Sequence, residues 1–396
     1  MLNELISKFP PELQLMLASA NSDMNRTKYL LQQSINWNKF LYLADYHRVY
    51  TFVYKTFSRL DKELVPKHIL DALRQTCQDN TLSALRITSE MVRIRMLFED
   101  HNIRAVVLKG VPLSWYLYGD IAFRPSGDID MLVTPDEFEQ STAILENEGY
   151  CKFSEYDKHN LLPRQLQIYL KHHEHSSHLK YLNSEKRVLL EIHWKLSKCG
   201  NILPFPLEGN VKKIVVAGNL LPVLTDEEWL LYLVLHGAGH KWHRLNWLVD
   251  IKMFIQQKNI DWLSLDCLAK EFGVQSFLRQ ALILVNQVFG IVIPSGIELS
   301  HDRTAWRLAY LALRTNILDA GKQVWYSGIY SSLFNSSYDL SMNMGLKKKF
   351  NYLLKSLGPT AEDIKLVALP DRLYAVYYII VPFTFLARRL RRIIAR

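Results

Sequence analysis

Apolar residues recur at three- and four-residue spacings through the first hundred positions and then give way to short β-branched runs. From the N-terminus to about Leu60 the spacing predicts helices, as in NWNKFLYLADYHRVYTFVYKTF. A longer helix is predicted from Pro66 to about His101, because proline at the start gives up an N–H that the first turn leaves unpaired anyway. At Ile103 the texture changes. IRAVVLKG, closed by Gly110, predicts a strand; PLSWYLYG predicts a short helix, AFRPSG a loop and DIDMLV a second strand. TPDEFEQSTAILENEG then predicts a helix opened by Thr134, with Pro135 at its first position.

Further on, HLKYL and RVLLEIHWKL flank Asn-Ser-Glu-Lys and predict an antiparallel hairpin. A two-residue turn at Ser184 and Glu185 would set His178 opposite Glu191. Past the connection LPFPLEGN, helical spacing returns at Thr225, which forms a capping box with Glu228. The pattern predicts an α+β protein: an N-terminal helical region over 1–100, a small mixed β-sheet core over 101–200, a C-terminal helical domain over 201–372 and an apolar-basic tail over 373–396.

Composition changes this picture only in part. A 396-residue chain that is 49% hydrophobic and 22% charged is globular in character, not disordered. Its formal charge of +9 favours an anionic partner, whether nucleic acid, nucleotide or acidic membrane surface. Nucleic acid is disfavoured, since no helix-turn-helix, RNP or basic-aromatic signature appears. The closing RRLRRIIAR follows an apolar run, Tyr374 to Ala387, that is shorter than the roughly 20 residues a bilayer-crossing helix needs. Two readings stay open for this tail: a helix lying on an anionic membrane surface, or a terminal helix packed on its own domain, with Pro382 kinking either one. Cys77, Cys151, Cys199 and Cys267 form no CxxC pair, and the N-terminus has no signal-peptide pattern. A cytoplasmic protein is expected, peripheral at the inner face of the membrane if the tail binds there.

The chemistry concentrates in GDIDMLV. Asp128 and Asp130 stand two apart on a strand, so both side chains leave one face and repel each other unless a cation lies between them. Mg²⁺ takes a few carboxylate oxygens and fills its remaining positions with water and phosphate oxygens, so an Asp-x-Asp edge suits a metal–nucleotide complex. Upstream, VVLKG is a strand ending in glycine before a helix, where backbone N–H groups can approach phosphates and Lys109 adds positive charge. Downstream, LLEIHW sets Glu191 among apolar neighbours, where a buried charge needs a partner.

The order of VVLKGVPL, RPSGDIDMLV, LLEIHWKL and HGAGHKWHRLNWLVDI resembles the bacterial uncharacterised nucleotidyltransferases, within the DNA polymerase beta-type nucleotidyltransferase superfamily. The resemblance implies a nucleotidyltransferase core in the sheet region and a metal site of Asp128, Asp130 and Glu191 using Mg²⁺ or Mn²⁺. It also implies an NTP donor, held by Lys109, Gly110, Arg124, Ser126 and His193. The acceptor, whether small molecule, glycan precursor, peptide or protein, is left open. The superfamily usually has Gly-Ser where this chain has Lys109-Gly110. Transfer from another activated donor, such as a nucleotide sugar, therefore stays an alternative, as does a non-catalytic nucleotide-binding protein.

The histidines fall in two clusters. His173 and His175 have strand-like metal spacing, but no cysteine or carboxylate stands at a fixed interval beside them, which disfavours a dedicated zinc site. His193 shares a strand face with Glu191 and is expected to face the same cleft. His236 and His240 lie four apart on a predicted helix, with Arg244 and Trp247 continuing the face. They are read either as a basic wall toward the substrate or as a polar contact between domains, with Asp250 pairing Arg244 or a histidine. Gly237 and Gly239 are expected to let another backbone come close.

Overall fold

In the computed structural model, which describes residues 2–61, 63–153, 178–196, 211–314, 337–342, 358–381 and 383–384, the N-terminal apolar spacing becomes a run of helices. These are α1 (Leu2–Ser7), α2 (Pro11–Ala20), α3 (Met24–Leu31), α4 (Trp37–Tyr46), α5 (Tyr50–Phe57) and α6 (Lys67–Asp100). Asp23 and Asn36 cap α3 and α4, their side chains accepting from the Arg26 and Lys39 amides. The continuous pattern across Trp37–Phe57 is broken at His47–Val49, where Arg48 adopts a φ of 53°. Along α6 the buried residues Ala84, Ile87, Met91, Ile94 and Phe98 form one stripe at three- and four-residue steps, continued toward the N-terminus by Asn80, Leu73 and Ile69.

The sheet strands are β1 (Ala105–Val107), β2 (Asp128–Val133), β3 (Cys151–Phe153), β4 (His178–Asn183), β5 (Val188–His193), β6 (Lys212–Val216) and β7 (Asn219–Val223). They form one mixed seven-stranded sheet in the order β3-β4-β5-β2-β1-β7-β6. β1 runs antiparallel to β2 and parallel to β7, while β2 runs parallel to β5. With helices flanking this sheet the fold is α+β, as the pattern predicts. α7 (Val111–Tyr118) and α8 (Phe138–Asn147) follow β1 and β2. α9 (Asp226–Gly239), α10 (Leu245–Gln257), α11 (Trp262–Glu271), α12 (Gln275–Phe289) and α13 (Arg303–Ala312) follow the last strand. The capping box of Thr225 and Glu228 is formed at the start of α9.

Two local expectations are corrected and one hairpin is added. The β4–β5 hairpin closes on four residues, 184–187, with the Asn183 side chain accepting from the Lys186 amide (3.0 Å) and Arg187 at a φ of 54°. The register therefore sets His178 opposite His193 and Lys180 opposite Glu191. A shift of two residues preserves the faces, so His178 still shares one with Glu191. The helix expected from Pro135 begins at Phe138, after a turn in which Thr134 Oγ1 accepts from the Glu137 amide (3.2 Å) and donates to the Glu137 carboxylate (2.6 Å). The hairpin β6–β7 is an addition to the sheet that the sequence reading passes over. Its Ala217-Gly218 turn has positive φ at both positions, the geometry of a tight hairpin turn usually marked by Asn-Gly.

The chain groups into two compact units, one of residues 1–151 and 177–338, the other of 152–176 and 339–396. The first holds the helices α1 to α13 and most of the sheet. In the second, α14 (Ala361–Leu366) leads to a 3₁₀ turn over Asp371–Val376. Ile364 and Tyr377 form its small core, and the Tyr377 hydroxyl donates to the Val367 carbonyl (2.5 Å). Among the described residues no helix is long and apolar enough to cross a membrane. His173, His175, Cys199 and the arginines of the tail lie outside the described residues.

One buried polar node ties α6 to the hairpin that carries Glu191. Glu90 accepts two hydrogen bonds from Arg93 (2.7 and 3.0 Å), one from the Tyr150 hydroxyl (2.8 Å) and one from Lys186 Nζ (3.0 Å). Burial raises the Glu90 carboxyl pKa, but these donors outweigh it and hold it at about 2. A carboxylate depressed on folding adds stability that is full above its unfolded pKa, roughly 4.3, and is lost as pH falls toward its folded value. Glu90→Gln is expected to cost about 1–3 kcal/mol near neutral pH. In urea titrations the gap to the native chain should shrink steadily below about pH 4.5. A gap that stays constant down to about pH 3 would contradict this.

Candidate active site

β2 presents Asp128 and Asp130 on one face, and the parallel neighbour β5 sets Glu191 beside Asp130 in register. Ligand oxygens of the three carboxylates lie within 4.8 Å of one another, and Asp130 is 0% exposed. Two buried carboxylates and a half-buried third this close require compensating positive charge.

Lys109 supplies part of it. From the corner between β1 and α7 its Nζ reaches Asp130 Oδ2 at 2.5 Å and Asp128 Oδ2 at 3.8 Å. Burial works against the ammonium, but Asp128 and Asp130 more than offset it and keep Lys109 charged. This lysine, expected to hold a triphosphate, lies against the carboxylates as their counter-charge. The corner holds its shape through Gly110, at φ 82° and ψ −130°, a region open essentially to glycine. A Cβ at Gly110 would stand 3.1 Å from Ser126 Oγ and 3.4 Å from the Asp128 carbonyl. Ser126 in turn donates to Asp128, with Oγ 3.3 Å from both its carbonyl oxygen and Oδ1. The Leu108 amide donates to the Asp130 carbonyl (3.0 Å), and the Leu108 carbonyl accepts from the Trp229 indole of α9.

On the other side stand imidazoles and a second lysine. His193 Nε2 lies 3.2 Å from Asp130 Oδ1 and 3.6 Å from Glu191 Oε2. Burial lowers its pKa, but the two carboxylates raise it further than burial lowers it. From β4, Lys180 Nζ lies 3.2 Å from Glu191 Oε1 and His178 Nε2 lies 3.7 Å from Oε2. Burial would raise the Glu191 carboxyl, yet His193, Lys109 and His178 hold it well below the usual carboxylate range. Asp128 is also lowered, against burial, by Lys109, Arg48 and Arg124. Asp130 differs: burial, with repulsion from Asp128 and Glu191, raises it despite Lys109. Lys180 was not singled out from sequence, although the period-two alternation of β4 places it on the same face as His178.

Arg124 is 4% exposed, and its Nε donates to Asp250 Oδ2 at 2.7 Å. The Tyr118 hydroxyl donates to the other Asp250 oxygen at 2.9 Å. Asp250 therefore pairs with Arg124, not with Arg244 or a histidine as expected. The pair clamps the loop entering β2 onto α10. That loop is also held by Thr51 on the Phe123 carbonyl (2.6 Å) and Asn80 on the Ala122 carbonyl (2.5 Å).

The predicted histidine face is reorganised. α9 ends at Gly239, and Lys241 and Trp242 adopt positive φ, so Arg244 starts a new helix instead of continuing the old one. His236, His240 and His243 still gather on Trp247, with ring centroids 5.1, 5.4 and 4.6 Å from it, and the Arg244 guanidinium stands 5.9 Å from the same ring. Gly237 makes room for the Trp242 ring, which a Cβ would meet at 2.4 Å, where a backbone approach was expected. Burial, Lys109 and His240 push the His236 imidazole well below its usual pKa, which leaves it neutral. Arg48, from the α4–α5 break, was missed by sequence reasoning because it sits inside helical spacing. Its Nη2 would lie 3.8 Å from a Cβ on Gly127, and its charge acts on both Asp128 and Arg244.

A sequence profile described as uncharacterised nucleotidyltransferase matches residues 33–290 of the 396. The chain belongs to that family. The match begins just before α4, takes in Arg48 and all three carboxylates, and ends just after α12. A comparison with curated proteins finds no match. As a member of a nucleotidyltransferase family, the chain is a transferase whose acidic cluster has the donor set to hold a metal ion.

If Lys109 is the counter-charge of this cluster, Lys109→Met should destabilise the metal-free protein by about 3–5 kcal/mol, the range for removing one partner of a buried ion pair. Millimolar Mn²⁺ should restore much of the loss in thermal melts, by stabilising the state it binds. Equal melting of variant and native chain without metal would contradict this role.

Proposed function

We propose that the chain transfers a nucleoside monophosphate from an NTP to a hydroxyl or phosphate acceptor, releasing pyrophosphate. The observation that carries this reading is the convergence of Asp128, Asp130 and Glu191 from two neighbouring parallel strands beside a glycine corner. Family membership supports the same class of reaction.

The donor set fits a hard divalent cation. Asp128 and Asp130 with Glu191 offer carboxylate oxygens to Mg²⁺ or Mn²⁺, and few other protein ligands are needed when phosphates and water complete the sphere. Such an ion, when bound, activates the attacking oxygen and stabilises the leaving one. Glu191 stays ionised because His193, Lys109 and His178 hold it so, which suits a ligand better than a proton acceptor. Lys109, whose ammonium lies on Asp130, would be placed to neutralise a phosphate were a cation to pair that carboxylate instead. The Gly110 corner packs Ser126 and the start of β2 closely against its backbone, which sets Lys109 beside the carboxylates. Arg48 and Arg244 add positive charge near Asp128, of the kind that would favour a polyphosphate there. Arg124 serves at one remove, by fixing the loop before Asp128.

A binding-only role is disfavoured on electrostatic grounds, since three carboxylates beside a polyphosphate repel it unless a cation intervenes. A nucleotide sugar donor would use the same carboxylates, and the measurement separates the two. Calorimetry of each NTP with the full chain should show binding that requires Mg²⁺ or Mn²⁺. Asp128→Asn/Asp130→Asn should weaken that binding by at least about tenfold, or 1.4 kcal/mol. A folded chain that binds nucleotide sugars but no NTP would overturn the nucleotidyl reading.

A further inference from the structure

We propose that Glu191 is shared between two cation positions, and that the second, completed by His178 and His193, takes a transition-type divalent cation such as Mn²⁺ or Zn²⁺. The proposal uses the reading of Glu191 as a metal ligand but does not need nucleotidyl transfer. Three observations carry it.

The first is geometric. His178 Nε2 and His193 Nε2 lie 3.7 and 3.6 Å from the same oxygen, Glu191 Oε2, and the two rings are 4.7 Å apart. A cation about 2.0–2.2 Å from nitrogen and oxygen ligands spaces them roughly 3.4 Å apart in a tetrahedral site, so the two nitrogen–oxygen separations already lie within a few tenths of an ångström of that spacing, and the ligand atoms of all three residues lie within 4.8 Å of one another. The second is the division of the carboxylate. Lys180 engages Oε1 at 3.2 Å, which leaves Oε2 to the imidazoles. The third is the scaffold. His193 and Glu191 share a face of β5, and His178 stands directly opposite His193 on β4, so the ligands come from a paired hairpin and not from loops.

Ligand type then sets the preference. Mg²⁺ favours oxygen, whereas imidazole suits zinc and other first-row transition ions, with manganese accepting both. The Asp128–Asp130 side offers oxygen only; the His178–His193 side offers two nitrogens and one oxygen. Asp130 Oδ1, 3.2 Å from His193 Nε2, borders both positions.

Pulsed electron paramagnetic resonance of Mn²⁺ on the full chain, without nucleotide, tests this directly. Nitrogen couplings from coordinated imidazole are expected in the native protein, retained in Asp128→Asn/Asp130→Asn and lost in His178→Gln/His193→Gln. Zn²⁺ titration should show a loss of affinity of at least about tenfold in the single variant His178→Gln, whose residue is half-buried and easier to replace. Bound Mn²⁺ without nitrogen coupling in the native chain, or Zn²⁺ affinity unchanged in His178→Gln, would overturn the proposal. Absence of NTP binding would overturn only the nucleotidyl reading and leave this result standing.

Discussion

Burying carboxylates side by side is the constraint from which the rest of this architecture follows. Asp130 and Glu191 are buried neighbours on parallel strands, and Asp128, half-buried, is two residues away on the same face. Each anion there lacks the water that would stabilise it, so every adjacent element contributes positive charge or a donor. Lys109 comes from the β1–α7 corner, Lys180 and His178 from β4, and His193 from β5 itself. The unequal result matters for chemistry: Asp128 and Glu191 are held ionised while Asp130 is pushed toward its neutral form. A divalent cation would relieve that imbalance more fully than a lysine can.

The surrounding fold holds these charges in place through a few buried polar ties. Arg124, Asp250 and Tyr118 join the loop before β2 to α10, and Trp229 of α9 reaches the Leu108 carbonyl beside Lys109. Glu90 anchors the hairpin carrying Glu191 to α6. Regions far apart in sequence are thus tied to the strands that carry the carboxylates. The helical regions on both sides of the core are part of the site's construction, since Arg48 comes from the first and Arg244 from the last.

Much of this was legible beforehand, for physical reasons that differ by element. The strands DIDMLV and VLLEIH could be read because their apolar runs are short and β-branched, and the two-residue spacing of Asp128 and Asp130 fixes their common face. The capping box at Thr225 was equally plain, being local. The hairpin register was not, because a four-residue turn with a positive-φ arginine carries no Asn-Gly mark. The β6–β7 hairpin was hidden for the same reason, its turn being Ala-Gly. Arg48 and the partner of Asp250 depend on tertiary packing, which spacing along the chain does not encode.

The most direct measurement of the central claim follows the phosphorus. The full chain is incubated with Mg²⁺ or Mn²⁺, a cell extract as acceptor source, and NTP labelled at either the α- or the γ-phosphate. The α-label is expected to enter a new product while the γ-label leaves as pyrophosphate, and Glu191→Gln is expected to abolish both. Transfer of the γ-label to product, with the α-label left in a nucleoside diphosphate, would contradict it.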